Sequence, residues 1–163
     1  MYLGNGVTAP ESEVGHLLRT DDWAVADGVT DRGAITVRFR TPVLAAGQGR
    51  SHPQALQVLW TYGDEGGGPD EMLERRMAAF EDRLIERLEA DGVAVAVSVV
   101  THDGTRQWLF YTADLTECSQ RLHDLSVEFG ESTLEFNTQH DEQWDYLHHE
   151  VLLGIDLDSL DAH

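Results

Sequence analysis

The chain has 163 residues, of which 41% are hydrophobic, so it is long enough to bury a core without disulfides or metal ions. Thirty acidic residues oppose eleven basic residues, all of them arginine, and the formal net charge at pH 7 is −19. Because nucleic acids and anionic membranes are bound through Lys and Arg, this composition argues against both classes of partner.

The acidic residues are concentrated in the C-terminal third of the chain. Residues 114–163 contain thirteen acids and one base, a net charge of −12, whereas the first 113 residues carry −7. Such a field attracts a basic protein partner. The alternative is that the acidity serves solubility and follows the general composition of the host's proteins, and composition alone does not decide between the two.

Cysteine content and hydropathy bear on the compartment. Cys118 is the only cysteine, so no intrachain disulfide forms and an oxidising compartment is not indicated. The N-terminal residues lack the basic and apolar regions of a secretion signal, and no apolar run approaches the about 20 residues that cross a bilayer. We expect a cytoplasmic protein with a flexible lead-in over 1–20, a single α+β domain over 21–153 and an acidic tail over 154–163.

Alternating apolar and polar residues predict three strands in the N-terminal half, after one helical turn around Val14–Leu18. The strands are Trp23–Asp27 and Ala34–Thr41, which form a hairpin around Val29–Gly33, and Ala55–Tyr62. The loop 45–53 contains Gly47-Gln48-Gly49, but no helix follows it, so it does not fit a dinucleotide-binding fingerprint. Acidic residues surround the Gly-rich loop 63–71, which argues against phosphate binding there.

Apolar residues spaced by three and four predict two long amphipathic helices. The first covers Asp70–Ala90 and ends at Gly92, and the second covers Asp114–Phe129 and ends at Gly130. Asp114, the first residue of the second helix, forms an N-terminal capping pair with Glu117. The two apolar stripes are Leu73, Met77, Phe80, Leu84 and Leu88 in the first helix and Leu115, Cys118, Leu122, Leu125 and Phe129 in the second.

The central stretch Val93–Thr112 predicts a β-hairpin around Asp103-Gly104, a dipeptide typical of two-residue turns. In a regular register, the residues paired on the bulky face are Val99 with Trp108, Val97 with Phe110 and Val95 with Thr112. We expect this face to pack against the helices, since side chains alternate between the two faces of a sheet. The opposite face is half apolar and includes Ala96, Ser98, Leu109 and Tyr111.

Ser132–Thr138 is predicted to be a short strand with Leu134 and Phe136 facing inward, and Asp141–Leu153 a third helix. From the third strand onward, the order strand, helix, strand, strand, helix, strand is that of a ferredoxin-like βαββαβ core. We therefore predict an α+β fold with an antiparallel sheet, two helices on one face, an N-terminal β-hairpin and a short C-terminal helix. The other sheet face is expected to be open, with Trp144 buried against it or against a sheet edge.

Four features of the chain together resemble a bacterial domain family of unknown function. They are Trp23 at the start of the first strand, the long Glu- and Arg-rich helix, the phrase TRQWLFYTAD at 105–114 and the phrase DEQWDYLHHEVL at 141–152. In the late motif Asp141, Trp144 and Tyr146 match the family pattern, and His148 stands where a second aromatic residue is usual. Members of this family also occur fused to domains like RraB, the protein inhibitor of ribonuclease E. The resemblance covers about residues 20–153 and implies no catalytic residues, and it implies a regulatory role only by analogy.

No motif for catalysis, metal binding or a cofactor stands out. Asp145 and His149 share a helix face and His140 precedes it, but no HExxH or CxxC pattern accompanies them. Ser98 lacks a nucleophile elbow, and Cys118 lies on an apolar stripe, which raises the pKa of a thiol. The sequence therefore predicts no catalytic residue, no metal ligand and no cofactor.

RNA recognition is a further possibility to weigh, because RNA-recognition modules share the βαββαβ order and stack bases on the open sheet face. Tyr111 would be the stacking residue here. A single aromatic residue without basic flanks, in a chain of net charge −19, argues against this function.

We interpret the chain as a small binding or regulatory domain, with an inhibitor as one form of this, that engages another protein, either basic or a second copy of itself. The candidate partner surface combines the acidic exterior with the open sheet face and includes Arg38, Arg40, Tyr111, Trp144 and Tyr146. The alternative is a small enzyme or a metal-dependent hydrolase, which would need a buried cluster of His140, Asp145 and His149.

Overall fold

A computed structural model describes residues 13–45, 47–63, 69–130, 134–153 and 155. The helices are α1 (Glu13–Thr20), α2 (Glu71–Glu89) and α3 (Leu115–Phe129), and the strands are β1 (Asp22–Thr30), β2 (Gly33–Thr41), β3 (Gln54–Thr61), β4 (Ala94–His102), β5 (Thr105–Thr112) and β6 (Leu134–His140). Most of the predicted lead-in, residues 64–68 of the Gly-rich loop, Ser132 and most of the acidic tail lie outside the described residues.

The six strands form one antiparallel sheet in the order β1-β2-β4-β5-β3-β6. The predicted combination of an antiparallel sheet with several helices is therefore confirmed. The strand order differs from that of a four-stranded ferredoxin-like sheet, because the N-terminal hairpin β1–β2 continues the sheet beyond β4. The two edge strands are β1 and β6.

Both hairpins turn in two residues. In the central hairpin His102 pairs with Thr105, and Asp103 and Gly104 between them have positive φ angles of 51° and 77°. Two positive φ angles give the turn the same twist as the flanking strands, which is why Asp-Gly predicted this turn correctly. The first hairpin turns at Asp31-Arg32, so its strands are longer than the predicted arms.

A β-bulge at Val97 makes the predicted register of the central hairpin wrong on one side. From the turn to the bulge the pairing is as predicted, but Phe110 pairs with Ala96 instead of Val97. Because side chains alternate along a strand, one inserted residue exchanges the faces of all residues that precede it. Val95 and Val97 therefore face away from α2 and α3, and Ala94 and Ala96 face them.

Helices α2 and α3 pack on one sheet face, and both begin at an aspartate cap. The Asp70 side chain accepts a hydrogen bond from the N–H of Leu73, and the Asp114 side chain accepts one from the N–H of Glu117. The core beneath them contains Met77, Phe80, Leu84, Leu88, Cys118, Leu122 and Leu125 from the helices and Leu56, Val58, Trp60, Ala94, Ala96, Val99, Trp108 and Phe110 from the sheet. Seven of the ten residues in the predicted stripes are thus buried, and Leu73, Leu115 and Phe129 are partly exposed. None of the helices in the described ranges is both long and apolar enough to span a membrane.

The second sheet face is covered over much of its area, so the prediction of an open face is wrong there. The helix α1 buries Val14 and Leu17 in a second core, where the prediction placed a single helical turn. The chain after β6 buries Trp144 and Leu147 in the same core. Tyr111, which was expected to lie on the open face, has no exposed surface.

The chain after β6 differs from the predicted third helix. Residues 141–144 form a turn, and a short π-helical segment covers Leu147–Val151. Trp144 has a positive φ of 61°, which a regular helix does not accommodate. In β6, Phe136 is 41% exposed instead of facing the core, because this strand lies at the edge of the sheet.

Candidate functional site

The five residues of the predicted partner surface lie on opposite sides of the sheet. Arg38 and Arg40 reach from β2 to α2, whereas Tyr111 and Trp144 stack in the second core with Tyr146 nearby. Arg40, Tyr111 and Trp144 are buried. In this conformation a partner therefore reaches only Arg38 and Tyr146, which are both partly exposed.

Three arginines of the sheet pair with three glutamates on one side of α2. The pairs are Arg38 with Glu81, Arg40 with Glu89 and Arg106 with Glu74, at nitrogen–oxygen distances of 2.6, 2.6 and 2.9 Å. The glutamates recur about every two turns and so lie along one side of the helix. This row of ion pairs fixes α2 on the sheet beside its apolar stripe.

The pair between Arg40 and Glu89 is the most deeply buried of the three. The Arg40 side chain is 2% exposed, and its Nη1 donates to Glu89 Oε2 at 2.6 Å and to the Ala96 carbonyl at 3.1 Å. Glu89 also accepts the N–H of Ala96 at 2.9 Å. The Trp23 ring lies 5.4 Å from the guanidinium carbon, within the range of a cation–π contact.

A cleft of about 570 Å³ lies over the pairs Arg38–Glu81 and Arg106–Glu74. Both pairs are bidentate, with distances of 3.1 and 2.6 Å in the first and 2.9 and 3.0 Å in the second. Trp108 Nε1 donates to Glu81 at 2.8 Å. Because every charged side chain that lines the cleft already has a partner of opposite charge, the arrangement stabilises the contact between helix and sheet.

The late motif Asp141, Trp144 and Tyr146 closes the second face over Tyr111. The rings of Tyr111 and Trp144 stack with centroids 4.2 Å apart and planes 7° apart. The Asp141 carboxylate accepts hydrogen bonds from the Tyr111 hydroxyl at 2.7 Å, from the N–H of Asp145 at 2.8 Å and from the N–H of Tyr146 at 2.9 Å. The motif is therefore structural, since its acid caps the turn and its tryptophan fills the core.

The loop before β3 holds Trp144 from another side. The Trp144 Nε1 donates to the His52 carbonyl at 2.9 Å. A Cβ atom at Gly49 would lie 2.2 Å from the Trp144 ring, so only glycine leaves room for the ring. His52 Nε2 lies 2.9 Å from the Gly92 carbonyl, which ties the same loop to the end of α2.

Burial shifts the protonation equilibria of three groups. Burial raises the pKa of the Tyr111 hydroxyl, and the hydrogen bond to Asp141 raises it further. Burial lowers the pKa of His52, although its contact with the Gly92 carbonyl opposes this. Burial also raises the pKa of the Cys118 thiol to about 11. Cys118 is therefore not an activated nucleophile.

The histidines of the alternative metal-site interpretation lie at the surface. His149 Nε2 lies 3.8 Å from Asp145 Oδ1, and His140 Nε2 lies 3.9 Å from Glu142 Oε2. The His149 and His140 side chains are 71% and 62% exposed. Within the described ranges no group of three or more His, Cys, Asp or Glu side chains is placed to hold a metal ion.

Part of the second sheet face remains accessible where β3, β5 and β6 lie side by side. Its partly or fully exposed residues are Gln57, Leu59, Gln107, Glu135 and Asn137. Tyr146 lies at the border of this area, and its hydroxyl accepts a hydrogen bond from Gln107 Nε2 at 3.1 Å. We call these five residues together with Tyr146 the exposed sheet region.

Four exposed acids lie on β6 and in the chain that follows it. They are Glu135, Glu142, Asp145 and Glu150, and we call them the C-terminal acidic surface. In the part of the chain that the structure describes, none of the four forms an ion pair with an arginine. On α2 and α3, by contrast, arginines bind acids in the pairs Arg75–Glu71, Arg121–Glu117, Arg83–Glu128 and Arg87–Glu128. Glu71, Glu117 and Glu128 on the helices are therefore compensated by arginines, whereas in the described ranges the four acids of the C-terminal acidic surface are not.

Two groups of residues in these arrangements were not singled out from the sequence. The signal that points to the ion-pair row is the recurrence of Glu74, Glu81 and Glu89 beside the apolar stripe of α2. The alternation of Arg38 with apolar residues in β2 is the matching signal in the sheet. Gly49 has no such signal, because the need for glycine depends on where the Trp144 ring lies in the fold.

Comparison with known families identifies one match. A model of a family of unknown function, DUF695, matches residues 21–152, which is most of the chain. The expected relationship to a family of unknown function is thereby confirmed, and the match carries no information on fusion to RraB-like domains. No curated protein matches the sequence.

Proposed function

The chain belongs to the DUF695 family, and we propose that it is a protein-binding domain that engages a basic partner. The binding site combines the C-terminal acidic surface with the exposed sheet region. One observation carries this proposal: in the described ranges Glu142 and Asp145 have histidines as their only ion-pair partners, whereas Glu71, Glu117 and Glu128 on α2 and α3 are paired with arginines. Carboxylates without a countercharge attract a cationic partner and speed its association.

The exposed sheet region supplies contacts other than charge. Leu59 and Tyr146 are partly exposed there, beside the amide side chains of Gln57 and Asn137. Protein interfaces commonly combine an aromatic or apolar centre with a polar rim. This combination supports the assignment of the region to a protein partner.

A regulatory or inhibitory role is part of the same proposal. It is supported by the resemblance to a family whose members also occur beside RraB-like inhibitor domains, and this support is an analogy. A cytoplasmic location is proposed with it, and the single cysteine, which is buried and free, accords with that compartment.

We further propose that the scaffold is a ferredoxin-like core extended by the N-terminal hairpin. Support comes from the adjacency of β4, β5, β3 and β6 within the sheet, and from α2 and α3, which follow β3 and β5 and share one face. Such a core leaves its second face for other uses.

The binding proposal is tested by affinity capture from a bacterial lysate with the purified chain as bait. In one variant the C-terminal acidic surface is neutralised by Glu135→Gln, Glu142→Gln, Asp145→Asn and Glu150→Gln. We expect the wild type to retain a basic protein at low salt, and the variant to lose most of it, because the attraction between the two proteins depends on these carboxylates.

The control variant carries the same change of charge on the helical layer, namely Glu71→Gln, Glu86→Gln, Glu117→Gln and Asp124→Asn. These acids are exposed, so the fold tolerates the change, and we expect the control to retain the partner as the wild type does. Equal retention by both variants, or no retained protein that is basic, contradicts the proposal.

A further inference from the structure

The edge strand β6 is exposed on both faces as well as along its edge. Six of its seven side chains are exposed, and that of Leu134 is partly buried. Phe136, near the middle of the strand, is 41% exposed. Among the described residues, β3 is the only strand that pairs with β6, so the backbone groups on its outer side are without a strand partner there.

Composition distinguishes β6 from the other edge strand, β1. Natural sheets protect their edges with charged residues, proline, glycine, bulges or short strands. The strand β1 contains Asp22, Asp27 and Gly28, whereas β6 contains neither glycine nor proline and has a single charged residue, Glu135. The edge at β6 is therefore the one equipped to accept another strand.

We propose that β6 pairs with β6 of a second copy of this chain, antiparallel and centred on Asn137, which joins two sheets into one. This inference goes beyond the basic partner proposed above and shares Glu135 and Asn137 with that binding site. A two-fold axis perpendicular to the sheet keeps each face continuous and brings residues of the same face together. In the register centred on Asn137 all seven residues are paired, as Leu134 with His140, Glu135 with Gln139, Phe136 with Thr138, and Asn137 with its own copy.

The side chains of this strand complement one another in that register. Glu135 lies opposite the neutral amide of Gln139, so no like charges face each other. On the face that carries the helices, the two copies of Phe136 become diagonal neighbours, within reach of each other and of Thr138. Part of the surface that is exposed in the monomer, including that of Phe136, then lies in the contact between the two copies.

The two molecules nevertheless repel each other, since each has a net charge of −19. A contact limited to one strand pair is small, and interfaces below about 1,200 Å² are typical of weak complexes. Added salt screens the repulsion. We therefore expect a weak dimer whose dissociation constant falls as the salt concentration rises.

Sedimentation of the full chain over a range of protein and NaCl concentrations tests the proposal. We expect Phe136→Glu to raise the dimer dissociation constant at least about tenfold, because it places two like charges next to each other. Val25→Glu is the matched control, since Val25 lies on β1 and is 43% exposed. It adds the same charge at the other edge and is expected to leave the dissociation constant within about twofold.

Cysteine cross-linking tests the register. Cys118, the only native cysteine, is buried, so the introduced thiols are the ones that react. We expect Asn137→Cys to cross-link with itself, and a mixture of Phe136→Cys and Thr138→Cys to cross-link more efficiently than either alone. Val25→Cys is the control for collisional cross-linking between exposed thiols.

A protein that stays monomeric at all concentrations and salt levels overturns the inference, as does a dimer that Phe136→Glu does not weaken. Equal cross-linking of the variants at positions 137 and 25 also overturns it. These results are read on the isolated chain, so they are distinguishable from success or failure in capturing a basic partner.

Discussion

Asp141 is the residue on which the second core depends most. Its carboxylate accepts one hydrogen bond from the Tyr111 hydroxyl and two from the backbone N–H groups of Asp145 and Tyr146. The Tyr111 hydroxyl is fully buried, as is most of Asp141, which is 6% exposed, and the two backbone donors are partly buried. One side chain thus positions the turn and orients the tyrosine on which Trp144 stacks.

We predict that Asp141→Ala lowers the free energy of unfolding by about 2–4 kcal/mol, because it leaves buried donors without an acceptor. The measurement is urea denaturation followed by tryptophan fluorescence. Glu142→Ala is the matched control at the next residue, which is exposed, and it should change the free energy of unfolding by no more than about 0.5 kcal/mol. Similar effects of the two substitutions would show that the carboxylate network contributes little to stability.

His52 makes the stability of the same region depend on pH. Burial lowers the pKa of His52 in the folded chain, so the unfolded chain binds a proton more readily as the pH falls. The stability that neutral His52 contributes is therefore present above the unfolded pKa of about 6.5 and is lost as the pH falls below it.

We predict that the free energy of unfolding falls more steeply between pH 7 and pH 5 in the wild type than in His52→Gln. The carboxylates titrate in both proteins, so the difference between the pH profiles of the two proteins gives the contribution of His52 to the free energy of unfolding. The measurement is urea denaturation across the pH range of about 5 to 7.5, on either side of the unfolded pKa. Parallel profiles would mean that His52 takes up a proton as easily in the folded chain as in the unfolded chain.

At the scale of the elements, α2 is held by apolar contacts and by its row of ion pairs. The two kinds of ion pair on this helix differ in burial. The Arg40 and Glu89 side chains are 2% and 15% exposed, whereas Arg75 and Glu71 are 78% and 80% exposed. Removal of the Glu89 charge leaves the buried Arg40 with only the exposed Asp21, whose Oδ1 lies 3.5 Å from Arg40 Nη2, whereas an exposed pair contributes little.

We predict that Glu89→Gln destabilises the chain by about 3 kcal/mol and that Glu71→Gln changes its stability by less than about 0.5 kcal/mol. Both substitutions make the same chemical change on the same helix. Thermal and urea unfolding of the two variants provide the measurement. A small effect of Glu89→Gln would show that water or another side chain compensates Arg40.

The elements themselves were predictable where their signals are local. The stripe that includes Met77 and Leu84 and the turn at Asp103-Gly104 depend on residues close in the sequence, and both were predicted correctly. The bulge at Val97 was not predictable, because Ala and Val fit either face of a strand. Its position is decided by long-range pairing with β2 and β5.

The candidate site was predicted only in part, for a similar reason. Tyr111 and Trp144 were both assigned to a partner surface, but they are stacked in the core. Their burial depends on α1 and on the turn over 141–144, which return to the sheet from distant parts of the sequence. Sequence periodicity describes each element separately and does not report which element covers a face.

At the scale of the whole molecule, both sheet faces have a core, and the charge is distributed unevenly around them. On the helical layer arginines pair with Glu71, Glu117 and Glu128. The C-terminal acidic surface has no arginine among its ion-pair partners in the described ranges. The C-terminal acidic surface therefore carries negative charge that no arginine in these ranges neutralises, and a cationic partner is expected there.

An NMR titration of the ¹⁵N-labelled chain with an arginine-rich peptide tests this central claim most directly. We predict that the largest amide shifts occur at Glu135, Glu142, Asp145 and Glu150 and in the neighbouring exposed sheet region, and that they diminish as salt is added. Shifts that are largest on α2 and α3, or that are spread evenly over all exposed acids, would contradict the account.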